Sequence, residues 1–227
     1  MKKLYTVILC GVLAVLLSAC SFDEILERII TTNTQATTAA TTVQKMDLGD
    51  KTDLSSFVFV GDSRFVGMKN AIKGYVDGDA EFVAKVGEGL AWLKKIAPDL
   101  YKKKGKIIVF NFGVNDLHNA SKYIDFYNGM PKDFMENNTL IFMTVNPVNE
   151  AKEAEHGFKV KNSDIEKFNN KMKEGLDKEH FRIIDSNTYI QLNDYQTTDG
   201  LHYFNNTYRL IFEFAVKSCT NKEYLKR

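Results

Sequence analysis

The chain has 227 residues, 44% of them apolar, which is enough to bury one full core and short for two domains. Its 30 basic and 29 acidic residues nearly cancel, so no cationic surface for nucleic acid is implied. No repeat of solenoid period runs through it.

Residues 1–19 read as a targeting segment. Lys2 and Lys3 give a positive start, and Leu4 to Leu17 is an apolar run too short to span a bilayer comfortably. The run ends in Leu17-Ser18-Ala19-Cys20, which resembles the lipobox of bacterial lipoproteins. That resemblance implies cleavage before Cys20 and lipid attachment at Cys20, with the folded part on the extracytoplasmic face of the cell membrane. An ordinary secretory signal is the alternative. Cys10 would be removed and Cys20 acylated, which leaves Cys219 alone and no internal disulfide. Phe22 to Ile30 is a short amphipathic piece. Residues 31–42 hold seven threonines in twelve positions, a composition that cannot build a core and reads as a disordered tether. The expected organisation is therefore a signal peptide over 1–19, an anchored N-terminus and tether over 20–49, and one globular domain over 50–227.

Within that domain strand and helix patterns alternate. Phe57–Val60 is an apolar, strand-prone run that ends in Gly61-Asp62-Ser63, and a helix pattern follows over 65–73. A second strand is expected over 81–86, followed by Gly87-Glu88-Gly89. An amphipathic helix is expected over 90–103, broken or kinked at Pro98. Residues 106–112 are nearly all apolar, as a central parallel strand should be. A helix over 119–136, a strand over 139–145, a helix over 163–178, a strand over 181–185 and a last helix over 205–218 complete the pattern. About five alternations imply a parallel sheet with helices on both faces.

The loops after these strands carry the chemistry. Gly61-Asp62-Ser63, Gly87-Glu88-Gly89, Gly113-Val114-Asn115-Asp116 and the late Asp199-Gly200-Leu201-His202 would gather at the carboxyl rim of one sheet, where open α/β folds bind ligands. Taken in this order, the four blocks resemble those of the SGNH (GDSL-like) hydrolases, and the resemblance spans residues 57–202. It implies a flavodoxin-like three-layer α/β/α sandwich with a five-stranded parallel sheet, and hydrolysis of esters.

The residue chemistry fits that implication. Ser63 would be the nucleophile, inert until a base takes its proton, although an N-cap serine is the bland alternative. His202 is the natural base, and Asp199, three residues earlier, can hold its ring. Oxyanion donors would be the backbone N–H of Ser63, the backbone N–H of Gly87 or Gly89 (Gly87 being the first residue past the strand), and the Asn115 side-chain amide. Arg64 stands where the family often has leucine. It would either contact an acidic substrate or lie solvated on the helix. Gly89, His118 and Asn146 are further candidates for lining the substrate site. Asp62 and Asp116 read as loop and turn formers, His156 and His180 as solvent-facing, Cys219 and Trp92 as packing, and Tyr123, Phe126 and Tyr127 as core. No zinc-like spacing appears, and neither metal nor cofactor is expected.

The expected activity is that of an extracytoplasmic serine esterase removing small acyl groups, acetyl above all, from carbohydrate or cell-envelope substrates. An O-acyltransferase on envelope glycans would use the same residues, and a non-catalytic binding lipoprotein on the same fold is the third reading. Partners implied are an acylated small molecule or glycan, and a membrane through Cys20, but no nucleic acid.

Overall fold

A computed structural model describes residues 44–49 and 52–220. The expected signal peptide, the Cys20 anchor and the threonine-rich stretch lie outside the described residues. No helix among those described is long and apolar enough to cross a membrane.

Five strands form one wholly parallel sheet in the order β2-β1-β3-β4-β5: β1 Phe57–Gly61, β2 Glu81–Ala84, β3 Ile107–Asn111, β4 Thr139–Met143 and β5 Phe181–Ile184. This is the flavodoxin-like doubly wound order, in which the chain reverses its direction of travel between β1 and β3. Ligands in such sheets bind outside the carboxyl ends at that reversal. Gly61 pairs with Asn111 there, so Ser63 and Asn115 leave the sheet side by side.

Alternation along each strand sorts the core into two layers. Phe57, Phe59, Val109, Ile141 and Met143 face α1 (Ser63–Ile72) and α8 (Asn205–Thr220), where Phe65, Met68, Ile211 and Phe212 are all buried. The rings of Phe59 and Phe82 stack at 4.9 Å, and Phe212 meets Phe59 at 5.4 Å. Val58, Val60, Ile108, Phe110, Leu140 and Phe142 point the other way. They meet α2 (Leu90–Leu100), α3 (Ala120–Asn128), α4 (Lys132–Glu136) and α6 (Asn162–Gly175). Each such large side chain contributes about 1.5–3 kcal/mol by leaving water. Strands buried on both faces explain their continuous apolar runs.

Four details differ from the sequence reading. The helix expected over 119–136 is two, α3 and α4, separated by Gly129-Met130-Pro131, because proline cannot continue the hydrogen-bond ladder. Helix α2 instead runs through Pro98 to Leu100. Two short helices, α5 (Glu150–Glu155) and α7 (Ser186–Gln191), have no periodic signature long enough to read. Residues 44–49 lie along the domain: the Met46 N–H donates to the Tyr75 carbonyl at 2.7 Å, and Met46 and Leu48 pack on the α1–α8 layer.

Candidate active site

The nucleophile candidate sits where β1 turns into α1. Asp62 is the N-cap: its Oδ1 accepts from the Arg64 N–H at 2.9 Å, and its carbonyl accepts from Phe65 and Val66. Ser63 is therefore the first helical residue, beside the positive end of a ten-residue helix. The cap expected as the alternative for Ser63 falls instead on Asp62.

His202 Nε2 lies 2.8 Å from Ser63 Oγ, across 139 residues of chain. Its Nδ1 lies 2.7 Å from Asp199 Oδ2. Burial alone would raise the Asp199 carboxyl, but the His202 N–H and ring and the Leu201 N–H outweigh it and hold its pKa below the ordinary value. An ionised carboxylate can only accept, so Nδ1 carries the proton and the Nε2 lone pair faces the serine hydroxyl. Asp199 Oδ1 meanwhile accepts from the backbone N–H groups of Leu201 and His202 at 2.9 and 2.7 Å. The Thr198 N–H donates to the His202 carbonyl, and Thr197 and Tyr203 form an antiparallel bridge. Acid and base thus share the tip of one small hairpin.

The loops after β2 and β3 meet on Asp116. Its Oδ2 accepts from the Leu90 N–H at 3.1 Å and the Asn119 amide at 3.2 Å, and its Oδ1 accepts from Tyr123 Oη at 2.8 Å. Asn115 Nδ2 donates to the Glu88 carbonyl at 2.8 Å and keeps a second N–H. The two glycines differ in a telling way. A Cβ on Gly89 would lie 2.6 Å from Asp116 Oδ2, so Gly89 is glycine to let that carboxylate close the loop. Gly87 has φ +74° and open space around it.

Arg64 is neither a substrate contact nor a solvated helix residue. It is 2% exposed, and its guanidinium donates to the carbonyls of Leu201 (3.2 Å), Asn146 (2.8 Å) and Pro147 (3.4 Å) while lying over the Tyr203 ring. Asn146 likewise lines no open surface: it is buried, and its Oδ1 accepts from Ser186 Oγ at 2.7 Å. The segment past β4 has left the sheet, so its backbone groups need side-chain partners, which Asn111, Asn169 and Asn187 also supply. His118 is exposed and lines a cavity that also reaches Asn115.

Asp62 is 1% exposed, and its Oδ2 has no hydrogen-bond partner among the described residues. Burial pushes its carboxyl up to about 6 against the pull of Arg64. Cys219 is buried and its thiol is pushed up to about 12, as a packing residue should be. His180 is half-buried rather than solvent-facing. With Asp177 and Glu179 it forms the one group of metal-type ligands within 4.8 Å of one another among the described residues, before β5 and so at the far end of the sheet.

Several solved structures, an SGNH hydrolase candidate among them, share this fold. A lipase/acylhydrolase from Enterococcus faecalis matches 71% of this chain and 94% of its own length at 17% identity and TM-score 0.54. The C-terminal catalytic domain of peptidoglycan O-acetyltransferase A from Streptococcus pneumoniae, solved with a methylsulfonyl adduct, matches 75% and 94% at 19% identity and TM-score 0.56. A protein from Slackia heliotrinireducens described as a candidate SGNH hydrolase matches 72% and 97% at 12% identity and TM-score 0.54. A scan of protein-family models and a search of curated proteins find no match.

The fold brings together Ser63, Asp199 and His202, which the sequence places in separate blocks, and Asp116 bonds the loops as its sequence reading expects, but the buried carbonyl partners of Arg64 and the reach of Asp116 to Leu90 have no sequence signal. Arg64 follows the first block and Asp116 closes the third. Nothing local marks their long-range partners.

Proposed function

We propose that this chain is a serine esterase that removes small acyl groups, acetyl above all, from carbohydrate or cell-envelope substrates. The observation that carries the reading is the unbroken Ser63–His202–Asp199 chain, at 2.8 and 2.7 Å, on the rim of the sheet. Ser63 Oγ attacks the ester carbonyl carbon as His202 Nε2 takes the hydroxyl proton. The tetrahedral intermediate collapses, the carbon–oxygen bond to the carrier breaks, and His202 returns the proton to the leaving alcohol. Water then attacks the acyl-serine by the same path in reverse. Asp199 keeps the ring in one tautomer and stabilises the imidazolium.

The oxyanion falls to the Ser63 and Gly87 N–H groups and the free N–H of Asn115, with each donor worth about 3–4 kcal/mol of barrier. The apolar N-terminal run and its Cys20 lipobox support a domain outside the cytoplasm, bound to the membrane by lipid. Surface ester groups of envelope or environmental glycans are then the accessible substrates.

The test is turnover of p-nitrophenyl acetate by the full chain and by Ser63→Ala. Loss of at least about a thousandfold is expected in the variant, and equal rates overturn the reading. A series of longer esters follows, in which preference beyond butyrate removes the acetyl assignment. The fold shared with the pneumococcal O-acetyltransferase domain supports a second reading, transfer of the acyl group to a sugar hydroxyl. It predicts a new ester that forms only when acceptor is present.

A further inference from the structure

A cavity of about 370 Å³ opens between the turn after β3 and the amino-terminal half of α6. Its wall includes Asn115 and His118 on one side and Lys159, Lys161, Lys167 and Lys171 on the other. On α6 the lining recurs at 164, 167, 168 and 171, the spacing of one helix face, so this face is aimed at the catalytic loop. Its two lining carboxylates are already engaged. Asp116 takes the Leu90, Asn119 and Tyr123 donors, and Asp164 pairs with Lys167 at 3.0 Å. Lys161 pairs with Glu150 at 3.1 Å. Lys159 and Lys171 have no ion-pair partner among the described residues. Two lysines outside any ion pair among the described residues therefore line a cavity that includes Asn115, the oxyanion-donor candidate, in a chain whose net charge is only +1.

We propose that this cavity is a subsite for a negatively charged group on the ester's carrier, a carboxylate or a phosphate, so that the substrate is an anionic glycan or polyol. The inference rests on the esterase reading for its place in a reaction, but not for the binding itself. Lysines suit it as compact, mobile point charges that follow a flexible polyanion. A cationic wall beside the reacting centre also speeds the capture of such a substrate and makes it sensitive to salt.

The experiment measures binding of a galacturonate trimer and of a glycerol phosphate trimer to the full chain by calorimetry. It compares wild type, Lys159→Glu/Lys171→Glu, and the control Lys69→Glu/Lys73→Glu, which reverses two exposed charges on and just after α1. The expected result is binding of one probe by wild type and control, weakened at least about tenfold in the Lys159/Lys171 variant and by added salt. Which probe binds tells carboxylate from phosphate. The proposal is overturned if neither probe binds, if the Lys159/Lys171 variant binds as wild type does, or if the control loses as much. The acetylated form of the bound probe should then show a KM raised about tenfold in the variant. Turnover of p-nitrophenyl acetate, measured against Ser63→Ala, separates the two ideas. Binding without Ser63-dependent turnover sinks the esterase and keeps the subsite, and turnover without binding does the reverse.

Discussion

The Arg64 side chain donates from Nε to the carbonyl of Leu201, the residue just before the catalytic-base candidate, at 3.2 Å and across 137 residues of chain. The residue after the nucleophile thus fixes the backbone that presents its base. The same guanidinium holds the carbonyls of Asn146 and Pro147, so the segment past β4 and the Leu201 hairpin converge on one buried cation. Replacing Arg64 with Met leaves those buried carbonyls without their donors while the Asp62 bond to the backbone N–H persists, and should cost about 3 kcal/mol of stability. Arg64→Lys keeps the charge but not the fork, and should lower kcat on p-nitrophenyl acetate more than it changes KM. Denaturant midpoints and steady-state kinetics measure both.

Asp199→Asn should lower kcat by about 10³–10⁴, because the amide favours the wrong imidazole tautomer. The Asp199 carboxyl lies below its ordinary value in the folded state, so its contribution to stability is complete above the unfolded pKa. That contribution is lost as pH falls through the folded one. Thermal melts in acid should therefore bring wild type and Asp199→Asn together, and at neutral pH wild type should be the more stable.

Asp62 has the opposite sign. Its folded pKa of about 6 stands above the ordinary 3.8, so the folded state holds a proton that the unfolded state has released, and stability falls as pH rises from the lower value to the higher. An asparagine keeps the bond to the Arg64 N–H without a charge. The stability of Asp62→Asn relative to wild type should therefore rise by about 3 kcal/mol between about pH 4 and pH 8. A difference independent of pH would contradict it.

The two glycines after β2 should respond differently to alanine. Gly89→Ala puts a methyl 2.6 Å from the Asp116 carboxylate and should cost about 2 kcal/mol by parting it from the Leu90 N–H. Gly87→Ala meets no atom, and only its φ of +74° resists, so about 1 kcal/mol is expected. Chemical denaturation of both variants ranks the costs. A larger loss at Gly87 would mean that the approach of Gly89 to Asp116 is not what closes the loop.

The strands β1, β3 and β4 are legible because they are buried on both faces, and the half-exposed edge strands β2 and β5 because turn residues bound them; the observed limits of all five fall within two residues of those expected. The Ser63, Asp199 and His202 candidates are legible because each stands in a short block with its own turn chemistry. What stays hidden has a common cause. Arg64 and Asn146 look polar, and polar residues at a site rim read as surface. Their burial depends on carbonyl groups more than 80 residues away for Arg64, and on a hydroxyl 40 residues away for Asn146, which no local pattern encodes. The short helices α5 and α7 fall below two turns, too short to show a period. Gly200 carries no signal of its own beyond its place in the last block. At φ +93° a Cβ there would overlap the Glu153 backbone, so this glycine lets the α5 segment approach the acid–base turn.

The hairpin that carries Asp199 and His202 is closed by the Thr197–Tyr203 bridge and tied to the domain by the Arg64 bond to the Leu201 carbonyl and the Asn149 N–H bond to the Gly200 carbonyl. The acid and its imidazole therefore sit on one unit, and two bonds, His202 to Ser63 and Arg64 to the Leu201 carbonyl, link that unit to the start of α1. Loosening Arg64 would therefore free this unit while the buried strands β1, β3 and β4 stay packed. In Arg64→Lys, turnover of p-nitrophenyl acetate would then fade and return with temperature below the point at which the sheet melts, so the acid–base pair would come loose before the core does.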